Sequence, residues 1–445
     1  MMLSKQLNHK IWYLAWPMII SNISVPLLGL VDTAILGHLE NAHYLAAVAV
    51  GSSILSILYW GLAFLRMGTT GLAAQAYGAK QHDLGRLISA QAITLAVGLG
   101  LLIVLLSPLI GYIGLKLVSP PSGSELFAAS YIQIRILSAP ALLVNFTIVG
   151  WLIGRQNTRW PLVIALTTNG INVGLDFLFI IGLNMKSDGA AIATVIAEYS
   201  GCCLAIWVLR QQLANIPGTL DKNRLWRWLD YRELLATNRH LFTRTLILLS
   251  SLAFFTAQGA QQGEVILAAN TILLNLMLLT AYGLDGFANA AEALVGDAVG
   301  MKNQTAFMQT CKHCLIWSLA TAGLFSLFFL LTGQALISIM TSLPAVIEQA
   351  RQYLPWLIVL PLITVWSYLL DGIFIGATQT AAMQYTMMFS AGLIYLPCWY
   401  FTQSWGNDGL WLAFLLFNAA RGVSLGLVFR EYSLHHRWWQ KNTVI

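Results

Sequence analysis

Leu72-Ala73-Ala74-Gln75-Ala76-Tyr77-Gly78-Ala79-Lys80 returns 222 residues later as Leu294-Val295-Gly296-Asp297-Ala298-Val299-Gly300-Met301-Lys302, keeping leucine, alanine, glycine and lysine at four equivalent positions. Other pairs hold the same offset: Ala46-Ala47 with Ala268-Ala269, Gly61-Leu62 with Gly283-Leu284, Gly154 with Gly376, and Thr158 with Thr380. Asp188-Gly189 pairs with Asp408-Gly409 at an offset of 220. Alanine and leucine coincide easily between apolar helices. Glycines, lysines and Asp-Gly pairs at loop edges discriminate better. The offset is half of the 445-residue chain, so the sequence reads as two copies of one unit.

Outward from these segments the chain is apolar nearly throughout. Hydrophobic residues make up 58% and charged residues 9%, against about 25% charged in soluble domains. Such a chain needs lipid around it. Its formal charge of +6 does not indicate nucleic-acid binding, because the cations sit between long apolar runs. Cys311 and Cys314 form a lone C-x-x-C at the entrance to an apolar helix. With no second pair they read as packing cysteines, and no metal site or disulfide framework is expected. The first apolar run is too long for a cleavable signal, whose core is about 7–15 residues.

A membrane helix needs about 20 mostly apolar residues. That window gives twelve spans: 11–37, 44–76, 86–110, 127–153, 160–183, 189–210, 243–260, 265–297, 311–340, 350–376, 382–402 and 408–430. Barrel strands would alternate every second residue, and these runs do not. Of the 24 Lys and Arg residues, Arg66, Arg135 and Arg421 fall near or within spans, and Lys116, Lys186 and Arg351 on outer loops. The other eighteen, Arg244 and Lys441 among them, fall on inner segments if the N-terminus is inside. This positive-inside bias places both termini in the cytoplasm.

The expected fold is an all-α integral membrane protein, with twelve transmembrane helices in two pseudo-symmetric six-helix bundles around a central cavity. Residues 1–210 form the first lobe, 211–242 a cytoplasmic linker, and 243–445 the second lobe. Six spans per copy make the repeats parallel, an arrangement suited to rocking around a central site.

Ionisable residues inside a membrane are costly and usually functional. Asp32 lies about four turns beyond Pro17 on the first span. Pro17 and Pro26 each remove a backbone donor, so a proline-weakened helix carries this acid. An outer helix cap is the bland alternative for Asp32, but apolar residues continue past it. On the fifth span Asn172 and Asp176 are four residues apart and share a face, with Asn169 nearby and Thr194 on the sixth span. If Asp32 and Asp176 face one cavity, desolvation and mutual repulsion favour a shared proton, and the pair titrates as a unit. A monovalent cation on the same oxygens is the competing idea. Asp371 on the tenth span is the principal acid of the second half and does not align with Asp32.

Several segments resemble the multidrug and toxic compound extrusion (MATE) family, in its bacterial DinF-like branch. They are Trp16-Pro17-Met18-Ile19, Pro26 to Ala34, Phe64 to Gly71, Gly189 to Thr194 and Leu370 to Ala377. The resemblance covers nearly the whole chain. It implies a secondary active efflux antiporter in the bacterial cytoplasmic membrane, acting as a monomer on small-molecule substrates without a cofactor. It further implies that Asp32 is the protonation site, that Asn172, Asp176 and Thr194 complete its polar network, and that Pro17 bends the helix. Asn145 and Asn169 correspond to substrate-lining amides. Other branches use a sodium site of acids in the second lobe. Asp371 matches one of these, but the seventh span, 243–260, has no acid. That departure favours protons, with sodium as the alternative coupling ion.

Few acids in a large apolar cavity suit amphipathic or cationic organic compounds, with aromatic faces available to cations. A lipid-precursor flippase of the wider superfamily would need a cationic cavity, and few arginines fall within spans. No H-E-x-x-H, G-x-S-x-G or nucleophile–base pair supports an enzyme.

Overall fold

The computed structural model describes residues 2–37, 42–118 and 123–439; Lys441 and the end of the second lobe lie outside them. The first half contributes α1 (Met2–Gly37), α2 (Ala42–Leu62), α3 (Phe64–Gly78), α4 (His82–Leu105), α5 (Ser107–Val118), α6 (Glu125–Arg135), α7 (Ala139–Gly154), α8 (Arg159–Asp176) and α9 (Lys186–Ala214). A short α10 (Lys222–Leu225) sits in the linker. The second half contributes α11 (Arg232–Gln261), α12 (Glu264–Gly300), α13 (Gln304–Met340), α14 (Pro344–Gly376), α15 (Thr380–Phe389), α16 (Leu396–Thr402) and α17 (Asn407–Leu434). No strand occurs among the described residues.

Among the described residues, eleven helical segments are long and apolar enough to cross a membrane. The eleventh expected span, 382–402, is helical but composite: α15, a six-residue π-helical segment Ser390–Tyr395, and α16. The fifth span carries the same irregularity, a π-helical segment Phe177–Gly182 directly after Asp176. So the fifth helix of each copy is locally unwound, a feature frequent at functional sites. Two expectations are corrected. The stretch after residue 110 is not simply a loop, because α5 occupies Ser107–Val118. Arg244 is not a loop cation, because α11 begins at Arg232 and buries Arg244 at 6% exposure.

The chain packs as two compact units, Ile20–Leu234 and Met1–Ile19 with Leu235–Ile445. The boundary crosses α1 between Pro17 and Pro26, although α1 itself is continuously helical. The N-terminal part of α1 packs within the second unit, where Trp12 meets Phe287 and Trp317 edge-on at 5.3 and 5.1 Å.

The repeat has a concrete basis inside each unit. A Cβ built on Gly150 would lie 2.4 Å from the Arg66 carbonyl oxygen, and on Gly154 2.6 Å from that of Thr70. In the other unit Gly372 faces the Ala288 carbonyl and Gly376 that of Glu292, both at 2.5 Å. All four contacts correspond at the offset of 222. Each brings two helices, α3 and α7 or α12 and α14, to backbone contact through small residues, as membrane helices commonly pack. The helix ends repeat too. Lys80 and Lys302 both adopt left-handed backbone, with φ of 55° and 54°. The N–H groups of Gln81 and Asn303 return to the carbonyls of Ala76 and Ala298, both at 2.9 Å. These are Schellman caps that satisfy otherwise orphaned carbonyls. Gln156 and Thr378 repeat the left-handed cap at the ends of α7 and α14.

Candidate functional site

In the unit Ile20–Leu234, helix periodicity aims polar side chains of five helices inward. Asn172 and Asp176 sit one turn apart on α8 and are 1% and 0% exposed. Asn172 Nδ2 donates to Thr194 Oγ1 on α9 at 3.3 Å, and Thr194 Oγ1 donates to the Ala190 carbonyl at 2.8 Å. The carboxyls of Asp32 on α1 and Asp176 on α8 are close neighbours that interact electrostatically. Apart from that contact, no donor among the described residues reaches either oxygen of Asp176 or Oδ1 of Asp32. Carboxylates only accept hydrogen bonds. Two carboxyls can therefore bond to each other only when a proton lies between them.

Arg135, at the C-terminal end of α6, faces this group and lies within electrostatic range of Asp32. Its Nη2 is 3.9 Å from Glu198 Oε1 on α9, and its Nη1 donates to Ser138 Oγ at 2.5 Å. The guanidinium stands 5.8 Å from the centre of the Tyr59 ring on α2, and Tyr131 bonds Ser52 at 3.0 Å. The sequence places Arg135 near a span without identifying its partner. An arginine and a glutamate, both within apolar spans, are the signal it offers.

Asn169 donates from Nδ2 to Ser24 Oγ at 3.0 Å and so ties α8 to α1. Asn145 lies on α7, with its Oδ1 buried and without a hydrogen-bond partner among the described residues. Pro17 is buried, and Pro26 is half-buried further along α1.

In the other unit Asp371, on α14, is held by two arginines. Arg244 of α11 and Arg421 of α17 both donate from Nη2 to Asp371 Oδ2, Arg421 at 2.9 Å. Arg421 also donates to Asn418 Oδ1 at 3.1 Å. Tyr368 lies among Arg244, Arg421, Asp371 and Asp285, a group of two cations and two acids. The seventh span, which has no acid within 243–260, thus supplies a guanidinium to Asp371. A second buried polar cluster joins Asn270, Asn407 and Trp411 through bonds of 2.7–2.9 Å.

Among the described residues, no cluster of His, Cys, Asp and Glu could hold a metal. Cys311 and Cys314 are both buried and free.

The MatE family model matches residues 17–178 and 241–401, once in each half. The DNA damage-inducible protein F of Escherichia coli K12 is 42% identical over 435 residues, covering 97% of this chain and 94% of that protein. A probable multidrug resistance protein NorM of Thermotoga maritima is 23% identical over 78% of this chain and 75% of its own. In fold, the chain matches the Vibrio cholerae MATE transporter VcmN in its bent form with a TM-score of 0.88. That match is at 20% identity and covers 99% of this chain and 100% of that one. The chain is therefore a multi-pass membrane transporter and not an enzyme, and it belongs to the MatE family of multidrug and toxic compound efflux transporters.

Proposed function

We propose that this transporter is a proton-coupled antiporter that exports amphipathic or cationic organic compounds by alternating access. The observation that carries this reading is the proximity of the Asp32 and Asp176 carboxyls, with no donor among the described residues on either oxygen of Asp176 or on Oδ1 of Asp32. Such a pair is stable with a shared proton and repels itself without one. Losing or gaining that proton changes the bonding at the C-terminal end of α1. The helix has two proline-weakened points between its N-terminus and Asp32, and the boundary between packing units passes between them. Proton binding at Asp32 thereby couples to bending of α1 at Pro17 and Pro26, with Asn172 and Thr194 orienting Asp176. Asn145, whose Oδ1 has no partner among the described residues, and Asn169 are the amides assigned to substrate contact.

Protons are preferred to sodium because Asp371 already carries two guanidiniums. A cation site built on that acid would have to displace one of them. The compound class also follows the relative named as a multidrug resistance protein. The proposed setting is the bacterial cytoplasmic membrane, with both termini inside, a monomer as the working unit, and lobes 1–210 and 243–445 rocking about a linker at 211–242.

The test is substrate efflux from proteoliposomes under an imposed proton gradient, with and without sodium. Wild-type flux should follow the proton gradient and ignore sodium, and Asp32→Asn should fall to the uncoupled background. Sodium-driven flux that survives in Asp32→Asn sinks the assignment.

A further inference from the structure

The polar side chains of the Ile20–Leu234 unit form a ring. From Asp32 it passes to Asp176, then one turn along α8 to Asn172. It continues through the 3.3 Å bond to Thr194, and one turn along α9 to Glu198. Arg135 closes it, lying 3.9 Å from Glu198 and within electrostatic range of Asp32. The remaining titratable groups that face it are Tyr59 on α2, Tyr131 on α6 and Cys202 on α9.

The ring contains three acids and one guanidinium. With every acid ionised it would hold a net charge of 1 − 3 = −2 inside the membrane. An uncompensated buried charge costs several kcal/mol or more, so neutrality requires two protons. The Asp32–Asp176 contact explains where one of them sits. The second has two neutral placements. Either both aspartates are protonated and Glu198 pairs with Arg135, or Glu198 is protonated and Arg135 pairs with the singly protonated aspartates. The placements differ by one proton and by the partner of Arg135. The observed pair suits exchange. At 3.9 Å it is longer than the 2.7–2.9 Å typical of a charge-assisted hydrogen bond, and the guanidinium also bonds Ser138.

We propose that Glu198 is a second proton-binding carboxyl of this transporter, and that Arg135 is a positioning residue that passes between Glu198 and the Asp32–Asp176 pair as the proton moves. This rests on the proton-coupled reading above. In one direction a proton leaves the aspartate pair and arrives on a Glu198 carboxylate oxygen, while Arg135 follows the negative charge back to Asp32. The numbers of protons and charges in the ring are unchanged by the exchange, so it needs no compensating ion.

The test compares wild type, Glu198→Gln and Glu198→Asp as purified, monodisperse protein and in proteoliposomes. Glu198→Gln is nearly isosteric and removes one acid, so neutrality then needs one proton instead of two. The expected result is that proton uptake, titrated with a pH indicator between alkaline and acidic buffer, is one proton per molecule lower in Glu198→Gln than in wild type. With Glu198 absent, Arg135 stays on Asp32, and the half-point of the transport pH profile moves by about one unit toward lower pH. Glu198→Asp should restore both readouts toward wild type. If wild-type transport is proton-dependent but Glu198→Gln keeps the same proton count and pH half-point, the inference fails and the Asp32 reading stands. A lower maximal rate at an unmoved half-point also overturns it, as a purely structural role. Wild-type transport that ignores protons overturns both.

Discussion

Replacing Gly150 or Gly372 by alanine should destabilise this transporter, while the same change at Gly98 or Gly323 should not. At Gly150 the new methyl would stand 2.4 Å from the Arg66 carbonyl oxygen, and at Gly372 2.5 Å from that of Ala288. An ordinary contact begins near 3.4 Å, so each helix pair must separate locally by nearly 1 Å. The clashing atom is backbone, which cannot swing aside. Overpacking of this kind costs about 1–3 kcal/mol. Alanine recovers up to about 1 kcal/mol of helix propensity, leaving a net loss of about 0–2 kcal/mol. Gly98 on α4 and Gly323 on α13 have nothing within 4 Å. There only the propensity gain remains, up to about 1 kcal/mol in the opposite direction. The assay is thermal unfolding of the four purified variants in one detergent, with monodispersity checked by size exclusion. Both contact variants should melt below both controls, one pair in each lobe. If the two classes melt together, the backbone contacts between α3 and α7 and between α12 and α14 are not as close as described, and the account of the repeat fails.

Asp371→Ala would leave Arg244 and Arg421 without their carboxylate, and breaking a buried pair in this way costs about 3–5 kcal/mol; an unchanged melting temperature would refute the pairing. Pro17→Ala restores a backbone donor in α1 and should lower turnover in the proton-driven efflux assay at unchanged expression. Full turnover would remove the bend at Pro17 from the mechanism.

Much of the architecture was legible because the membrane imposes one simple rule on every span. Apolar length located eleven spans directly, and the remaining one, 382–402, as a composite helix. The failures have definite causes. Arg232, Glu233 and Arg239 pull down the hydropathy at the start of α11, so a window begins the span at 243 where the helix begins at Arg232. Residues 107–118 include a proline and two glycines, and they still form α5. At the site, Asn172 and Asp176 were readable because one helix turn fixes their spacing. That Asp32 meets Asp176 could be posed from sequence only as a supposition. The pairing of Arg135 with Glu198 could not be read, because no local periodicity links residues on separate helices. The matching of Gly150 with Gly372 needed the carbonyls opposite them to become significant.

The clasp of Arg244 and Arg421 on Asp371 has a consequence for energy conversion. A dissolved ion does work by arriving from one compartment and leaving to the other. A guanidinium on a side chain can do neither, so it is a captive ion. The Asp371 carboxylate is already supplied with two of them, one from α11 and one from α17. A mobile cation binding there would have to displace one of them. The two lobes share one scaffold, yet they are electrically unlike: in one a carboxylate is held between two guanidiniums, and in the other two carboxyls are neighbours.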